Sequence, residues 1–258
     1  MTAREIRGPQ GRLFVDDDGG ATSDALPVLF VHCDCGAHGQ WFDALAHVRA
    51  SRRAIAFDLR GHGASAPAAN GDYSFAGRAQ DVGAVLDACS VSRAVLVGHS
   101  GGATTALHYA AGHADQVAAL LLVDPPSDGR QFPEAQRNAL LDALRSPEWS
   151  KVLLEYYGSI AGPREAVRAQ VLDDAARTPQ ETVIGVFLAL GAYDPTPALR
   201  GYHAPRLSLV SEMGESPAAL HRLDPTLPHE VIPGTGHWVH LDAPTVFRDR
   251  LDVLLKGA

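Results

Sequence analysis

The segment Gly98-His99-Ser100-Gly101-Gly102 constrains this chain more than any other part of it. It follows the apolar run 94–97 and precedes a stretch, 103–111, whose composition is typical of a helix. Serine in a one-residue turn between a strand and a helix is strained toward positive φ. Glycines two residues to either side avoid collisions with the neighbouring strand and helix. The pattern predicts a strand, a tight turn bearing a candidate nucleophile, and a helix; an ordinary turn that opens a helix is the alternative.

Short apolar runs alternate with helix-like stretches along the chain. The candidate strands cover 11–16, 27–31, 53–58, 94–97, 117–123, 206–210 and 230–232, with the first at an edge of the sheet. Because parallel strands need crossover connections, this alternation predicts an α/β fold with a mostly parallel, doubly wound sheet. Ligands of such sheets bind beyond the carboxyl ends of the strands, which is where Ser100 lies.

Residues 127–200 interrupt this alternation with several short helical segments. Prolines stand just before or at the starts of these segments, as is common at helix beginnings; they are Pro133, Pro147, Pro163 and Pro179. We therefore expect an inserted helical cap at 127–200. The flanking segments 1–126 and 201–258 are expected to form the two parts of the α/β core.

Composition and charge exclude several classes of function. The net charge is −8 and basic residues cluster at most two together, which argues against nucleic acid as a partner. Apolar runs are too short to span a membrane, and the first residues lack the apolar core of a signal peptide. We expect a soluble, cytoplasmic monomer or homodimer that acts on a small-molecule substrate, without a membrane partner.

The three cysteines, Cys33, Cys35 and Cys89, are too few and too unevenly spaced for a disulfide framework. The segment 32–35 combines histidine, aspartate and two cysteines, but no second pair of Cys or His residues with metal-type spacing follows it. We therefore expect neither a bound metal nor a cofactor.

Four segments of the chain together resemble the α/β-hydrolase fold superfamily, and the resemblance covers nearly the whole length. They match the strand before the oxyanion loop, the Asp-x-Arg-Gly-x-Gly-x-Ser loop, the nucleophile elbow and the segment of the catalytic histidine; these are 28–32, 57–65, 97–102 and 233–238. The resemblance implies the α/β-hydrolase fold with an inserted helical cap, and a serine nucleophile at Ser100.

The resemblance also singles out His237 as the base. A neutral hydroxyl is a poor nucleophile unless a base removes its proton as the new bond forms. His237 lies on a glycine-containing loop before the last predicted helix. Packing or exposure explains the other histidines considered as a base better; they are His62, His99 and His113. His240 stands three residues after His237 and is the nearest alternative in the sequence.

The third member of the triad departs from the common pattern. Many members of the superfamily carry an Asp after the strand that here covers 207–210, but Gly214 stands at that position. Asp124 ends the preceding core strand, where some members have their acid, including lactone hydrolases of the zearalenone-degrading type and cofactor-free dioxygenases. Asp124 is therefore the preferred acid, Glu212 and Glu215 are alternatives, and the absence of a working acid is the last one.

An oxyanion hole of two backbone N–H groups is implied by the same resemblance. Gly101, directly after the nucleophile, supplies one of them. The other comes from the loop after His32, where Cys33 replaces the usual glycine and Asp34 is the donor by position. A carboxylate facing an oxyanion would oppose catalysis, so we expect the Asp34 side chain to turn away or to contact the substrate.

The cap is expected to provide apolar and aromatic walls for the substrate, with Trp149, Tyr156 and Trp238 as candidate binding residues. The sequence thus favours a serine hydrolase that cleaves a medium-sized, partly apolar carboxylic ester or lactone through an acyl-enzyme. Serine rather than Asp at the elbow argues against dehalogenase and epoxide-hydrolase chemistry. The alternatives are a cofactor-free dioxygenase acting on a heteroaromatic substrate, a C–C bond hydrolase, and a non-catalytic binding protein.

Overall fold

A computed structural model describes residues 2–19 and 25–258 of the chain. The strands in this part are β1 (Thr2–Gly8), β2 (Gly11–Asp17), β3 (Val28–Val31), β4 (Ala54–Phe57), β5 (Ala94–His99), β6 (Val117–Val123), β7 (Arg206–Ser211) and β8 (His229–Ile232). The helices are α1 (Phe42–Arg49), α2 (Phe75–Ala88), α3 (Gly101–Gly112), α4 (Glu134–Arg145), α5 (Trp149–Ile160), α6 (Glu165–Arg177), α7 (Gln180–Gly191), α8 (Thr196–Gly201), α9 (Leu220–Leu223), α10 (Val239–Asp242) and α11 (Pro244–Lys256). Short 3₁₀ helices cover His38–Trp41, Gly129–Gln131 and Glu212–Gly214.

The strands of the described residues form one sheet in the order β1-β2-β4-β3-β5-β6-β7-β8. The pairs β1–β2 and β2–β4 are antiparallel, and the strands from β4 to β8 pair in parallel. The sequence-based prediction of a mostly parallel, doubly wound α/β fold is therefore confirmed. The expected edge position of residues 11–16 is wrong, because residues 2–8 pair with them in register; the charged side chains of β1 conceal this strand in the sequence.

Apolar side chains cover both faces of the sheet, as the alternation along β3 shows. Leu29 and Val31 pack on the side of α2 and α3, whereas Val28 and Phe30 pack on the side of α1 and α11. All seven residues of β6 are buried, which explains why the central strands are uninterrupted apolar runs. The two hydrophobic layers hold the carboxyl ends of the parallel strands in fixed positions.

The helices α4–α8 lie between β6 and β7 in the chain, and we call them the inserted helices. Side chains of α5, α6 and α7 form a third apolar cluster with residues that follow β3 and β8, including Cys35 and Trp238. The insertion thus contacts the loops at the carboxyl ends of these two strands. Within the ranges that the structure describes, the helices are too short or too polar to cross a lipid bilayer.

Candidate active site

Ser100 occupies the sharp turn between β5 and α3. Its backbone has φ 52° and ψ −124°, a conformation that non-glycine residues rarely adopt, and its N–H donates to the Val123 carbonyl at 2.9 Å. The flanking glycines are required sterically. A Cβ at Gly102 would lie 2.2 Å from the His32 carbonyl oxygen, and a Cβ at Gly98 would lie 2.5 Å from the Gly102 carbonyl oxygen. The predicted reason for glycine at these two positions is confirmed.

Asp124 follows β6 and also has a positive φ, of 42°. Its backbone N–H donates to the Leu209 carbonyl at 2.7 Å. The carboxylate accepts the Ser211 N–H at 2.7 Å and the Ser211 hydroxyl at 3.0 Å, and it contacts His237 Nδ1 at 2.6 Å. Two neighbouring strand ends therefore hold the acid in one orientation toward the imidazole.

The other acids considered from the sequence lie elsewhere. Glu212 accepts the N–H of Gly234 at 3.2 Å, and Glu215 pairs with Arg222 at 2.7 Å. Gly214, at the position of the usual acid, leaves room for the early one. A Cβ at this glycine would lie 2.5 Å from Asp124 Oδ1.

The loop after β8 presents His237 to the acid. Its N–H donates to the Ile160 carbonyl at 2.9 Å, and its carbonyl accepts a hydrogen bond from His99 Nε2 at 2.9 Å. The side chain is 19% exposed, whereas Asp124 and Ser100 are buried. With the proton on Nδ1 held by Asp124, the lone pair of the imidazole lies on Nε2, the arrangement that a general base requires.

Several other histidines surround this region as neutral packing groups. Burial lowers the pKa of His32 and of His62 to about 4 and that of His240 to about 3. Burial also lowers the pKa of His99 well below the usual value. Their rings pack in the interior, as His240 does by stacking on Trp41 at 4.2 Å between centroids.

The loop after β3 brings Asp34 next to the elbow. Its carboxylate forms an ion pair with Arg78, and a Cβ at Gly101 would lie 2.3 Å from Asp34 Oδ2. The Asp34 carbonyl accepts the Tyr157 hydroxyl at 2.8 Å. The buried guanidinium of α2 holds this carboxylate beside Gly101; whether it turns away from an oxyanion or contacts a substrate stays a prediction. Among the hydrogen bonds of the described residues, the backbone N–H groups of Asp34 and Gly101 have no acceptor.

Arg78 was not predicted from the sequence; Tyr157 was a candidate for the apolar wall of the cap, but its contact with Asp34 was not predicted. The only signal for Arg78 was Asp34 itself, since a carboxylate in an otherwise apolar loop needs a partner when it is buried. Cys33 and Cys35 are free, buried thiols, and burial raises the pKa of Cys35 to about 12. They lie in the apolar cluster beneath the inserted helices.

Among the described residues, one group of side chains that was not predicted from the sequence could hold a metal ion. Ligand atoms of Glu215, His221 and His229 lie within 4.8 Å of one another. The two imidazoles stack at 3.9 Å between centroids, and the carboxylate already pairs with Arg222. This group uses none of the residues described above for the candidate site.

The three predicted substrate-binding residues differ in exposure. Tyr156 is 39% exposed and its ring lies edge-on to Phe187, while Trp149 at the start of α5 is partly buried. Trp238 is fully buried, and its indole N–H donates to Gln40 Oε1 at 3.3 Å. Trp238 packs in the apolar cluster with the inserted helices, whereas the two residues of α5 are partly exposed.

Comparisons with known proteins agree with this architecture. A model of the α/β hydrolase fold family matches residues 27–148. The chain is 30% identical over 209 residues to a 2-(acetamidomethylene)succinate hydrolase of Mesorhizobium japonicum, covering 74% of each chain. It is 27% identical over 266 residues to an sn-1-specific diacylglycerol lipase of Mus musculus, covering 92% of this chain and 83% of the lipase. The structure of an enol-lactonase from Burkholderia xenovorans superposes with a TM-score of 0.85 at 20% identity, covering 98% of this chain and 100% of the lactonase.

Proposed function

Because this chain belongs to the α/β-hydrolase fold family, we propose that it is a serine hydrolase that cleaves a carboxylic ester or lactone. The observation that carries the proposal is the 2.6 Å contact between His237 Nδ1 and Asp124 Oδ2. The contact joins the loops that follow β6 and β8. The strained turn that bears Ser100 follows β5, at the same edge of the sheet. Such a histidine has the tautomer that accepts a proton from a nearby hydroxyl.

The reaction follows from these positions. Ser100 Oγ attacks the carbonyl carbon while its proton passes to His237 Nε2, and the carbonyl oxygen becomes an oxyanion that the N–H groups of Asp34 and Gly101 bind. The C–O bond to the leaving alkoxide breaks as His237 returns the proton to that oxygen. Water then attacks the acyl-enzyme with His237 again as the base, which releases the carboxylic acid and restores Ser100.

We assign the inserted helices the role of a cap that selects the substrate. Their apolar cluster lies against the loops after β3 and β8, and Tyr156 and Trp149 on α5 offer aromatic surface. These features support a medium-sized, partly apolar substrate. Two of the similar proteins are named as a diacylglycerol lipase and an enol-lactonase, names that refer to an ester and to a lactone substrate.

The decisive experiment combines hydrolysis with covalent labelling. The native protein is assayed on a panel of p-nitrophenyl esters and lactones, and a fluorophosphonate probe is used to label the nucleophile. We expect hydrolysis of at least one class and labelling at Ser100, with both lost in Ser100→Ala by about 10³-fold or more. Absence of labelling in the native protein would contradict the proposal.

The same variant separates the proposal from oxygenase chemistry, which needs a histidine–aspartate pair but no serine nucleophile. A cofactor-free dioxygenase would keep most of its oxygen consumption with a heteroaromatic substrate in Ser100→Ala. A serine hydrolase would consume no oxygen in either form.

A further inference from the structure

A carboxylate lies beside the backbone that the proposed mechanism uses to bind the oxyanion. Asp34 is 2% exposed, and a Cβ at Gly101 would lie 2.3 Å from its Oδ2. Since a carbon–carbon bond in the chain is about 1.5 Å long, this oxygen is within about 4 Å of the Gly101 Cα. An oxyanion bound by the Gly101 N–H, one bond from this Cα, would lie within about 8 Å of the carboxylate oxygen. Like charges at such a distance repel where bulk water is excluded. An uncompensated Asp34 would therefore oppose formation of the oxyanion.

Arg78 of α2 supplies the compensating charge. Its guanidinium is fully buried and hydrogen-bonds Asp34 Oδ1. The group lies over the Phe75 ring, 4.4 Å from the centroid. In the described part of the chain, its Nε and its other terminal nitrogen have no hydrogen-bond partner. Asp34 is thus the carboxylate that holds this cation in place, and the two buried charges depend on each other.

Tyr157 holds the backbone of the same residue. Its hydroxyl, on the inserted helix α5, donates to the Asp34 carbonyl at 2.8 Å. Burial raises the pKa of Tyr157 well above the usual value, so the phenol stays protonated and remains a donor. The side chain of Asp34 is held by α2 and its carbonyl by α5. Its N–H shares a peptide plane with the Cys33 carbonyl, which accepts the Gly36 N–H at 3.1 Å, so the peptide planes on both sides of Asp34 are held.

We propose that Arg78 is a positioning residue that neutralises Asp34 and thereby makes the oxyanion loop competent. This inference rests on the proposed function, because it concerns the oxyanion of that reaction. It assigns a role to a buried ion pair that lies outside the triad. It also explains why glycine follows the nucleophile, since the Asp34 carboxylate occupies the space of a side chain at Gly101.

The test is a charge cycle at the two positions, read out as kcat and KM on a p-nitrophenyl ester and as the rate of fluorophosphonate labelling. We expect Arg78→Met to lower kcat and the labelling rate about 100-fold, because it leaves Asp34 charged and unpaired. The KM changes by less than about threefold. Adding Asp34→Asn removes the remaining charge and returns both rates to within about tenfold of the native protein.

A matched control exists at a second buried ion pair, between α2 and the loop after β4. Arg60 is also a buried arginine and forms a two-bond ion pair with Asp81 of α2. The variants Arg60→Met and Arg60→Met/Asp81→Asn carry the same charge changes away from Gly101. We expect them to lower the melting temperature but to leave the rate per folded molecule within about threefold of the native value.

The outcomes separate the possibilities. A double variant at positions 34 and 78 that is as slow as Arg78→Met, or a native rate in Arg78→Met, would overturn the inference. If Arg78→Met does not fold, Arg78→Lys and the double variant decide, because both lack an unpaired carboxylate and are expected within about tenfold of native; a 100-fold loss in either overturns the inference. A native protein that neither hydrolyses esters nor labels at Ser100 would overturn the proposed function itself.

Discussion

The carboxylate of Asp124 occupies the space that a side chain at Gly214 would fill. A Cβ on this glycine would lie 2.5 Å from Asp124 Oδ1 and 3.2 Å from Val210 Cγ1. The two residues follow neighbouring parallel strands, β6 and β7, so an acid on either strand end can reach the same imidazole. The position of the Asp124 carboxylate therefore requires a residue without a side chain at position 214.

Replacing the acid tests this arrangement directly. In Asp124→Asn the carboxamide keeps the size of the side chain but no longer stabilises an imidazolium, and it favours the wrong tautomer of His237. We expect kcat for ester hydrolysis to fall by about 10³ to 10⁴-fold with little change in KM. Glu212→Gln is the control, since the carboxylate of Glu212 accepts the Gly234 N–H of the histidine loop and, within the described residues, does not contact His237; the variant should retain activity within a few-fold. Loss of activity in Glu212→Gln alone would reverse the assignment.

The complementary test is Gly214→Ala. A methyl group there would collide with Asp124 Oδ1 and would move the carboxylate away from His237 Nδ1. A shift of about 1 Å in a catalytic group costs on the order of 10² in rate, so we expect a 10- to 100-fold lower kcat. A structure of the variant should show a longer distance between His237 and Asp124. An unchanged rate would mean that the 3₁₀ turn at 212–214 yields to the methyl group.

Much of the fold was predictable because its signals are local. Uninterrupted apolar runs such as 117–123 mark strands buried on both faces, and the Gly-x-Ser-x-Gly spacing marks the turn at Ser100. The edge strand 2–8 was missed because the charged residues at positions 4, 5 and 7 hide the alternation of apolar and polar side chains that is typical of a strand. Its partner, not its own composition, makes it a strand.

The site was only partly predictable because two of its relationships depend on contacts between distant segments. The sequence placed Asp34 in the loop after β3 and led to an expectation about its side chain, but it did not indicate which residues that side chain contacts. The structure brings it to Arg78, 44 positions later, and to Tyr157, 123 positions later. Gly214 was recognised as the residue that replaces an acid, but its contact with Asp124 is a steric fact that only three-dimensional packing defines.

The close packing around Gly102, in the turn at Ser100, can be tested through folding stability. In Gly102→Ala the new methyl group would lie 2.2 Å from the His32 carbonyl oxygen, and neither backbone can move without disturbing β3 and α3. We expect the free energy of unfolding to fall by about 2–4 kcal/mol. Gly112→Ala, at the end of the same helix, has no heavy atom within 4 Å of the added methyl group. It should change stability by no more than about 1 kcal/mol. Equal effects of the two substitutions in urea unfolding would contradict the steric argument.

The buried histidines predict that stability falls as the medium becomes acidic. Burial lowers the pKa of His32 and His62 to about 4 and that of His240 to about 3 in the folded protein, whereas in the unfolded chain each is near 6.5. Below pH 6.5 these histidines bind protons in the unfolded chain but not in the folded protein. Their contribution to the free energy of unfolding is therefore fully present above pH 6.5 and decreases as the pH falls below it. Each group contributes a slope of up to about 1.4 kcal/mol per pH unit. His38 acts in the opposite direction: burial lowers its pKa, but the hydrogen bond to Asp58 and the charge of that carboxylate together outweigh burial and raise the pKa.

His240→Phe isolates one of these groups. Phenylalanine keeps an aromatic ring stacked on Trp41 and removes the titration. Urea unfolding is measured at about pH 7.5, 6 and 5, and the slope of stability against pH should be shallower in the variant by up to about 1.4 kcal/mol per pH unit below pH 6.5. Above pH 7 the two proteins should show no difference in slope. Parallel curves down to about pH 5 would mean that His240 takes up its proton without unfolding, through a local opening of the histidine loop.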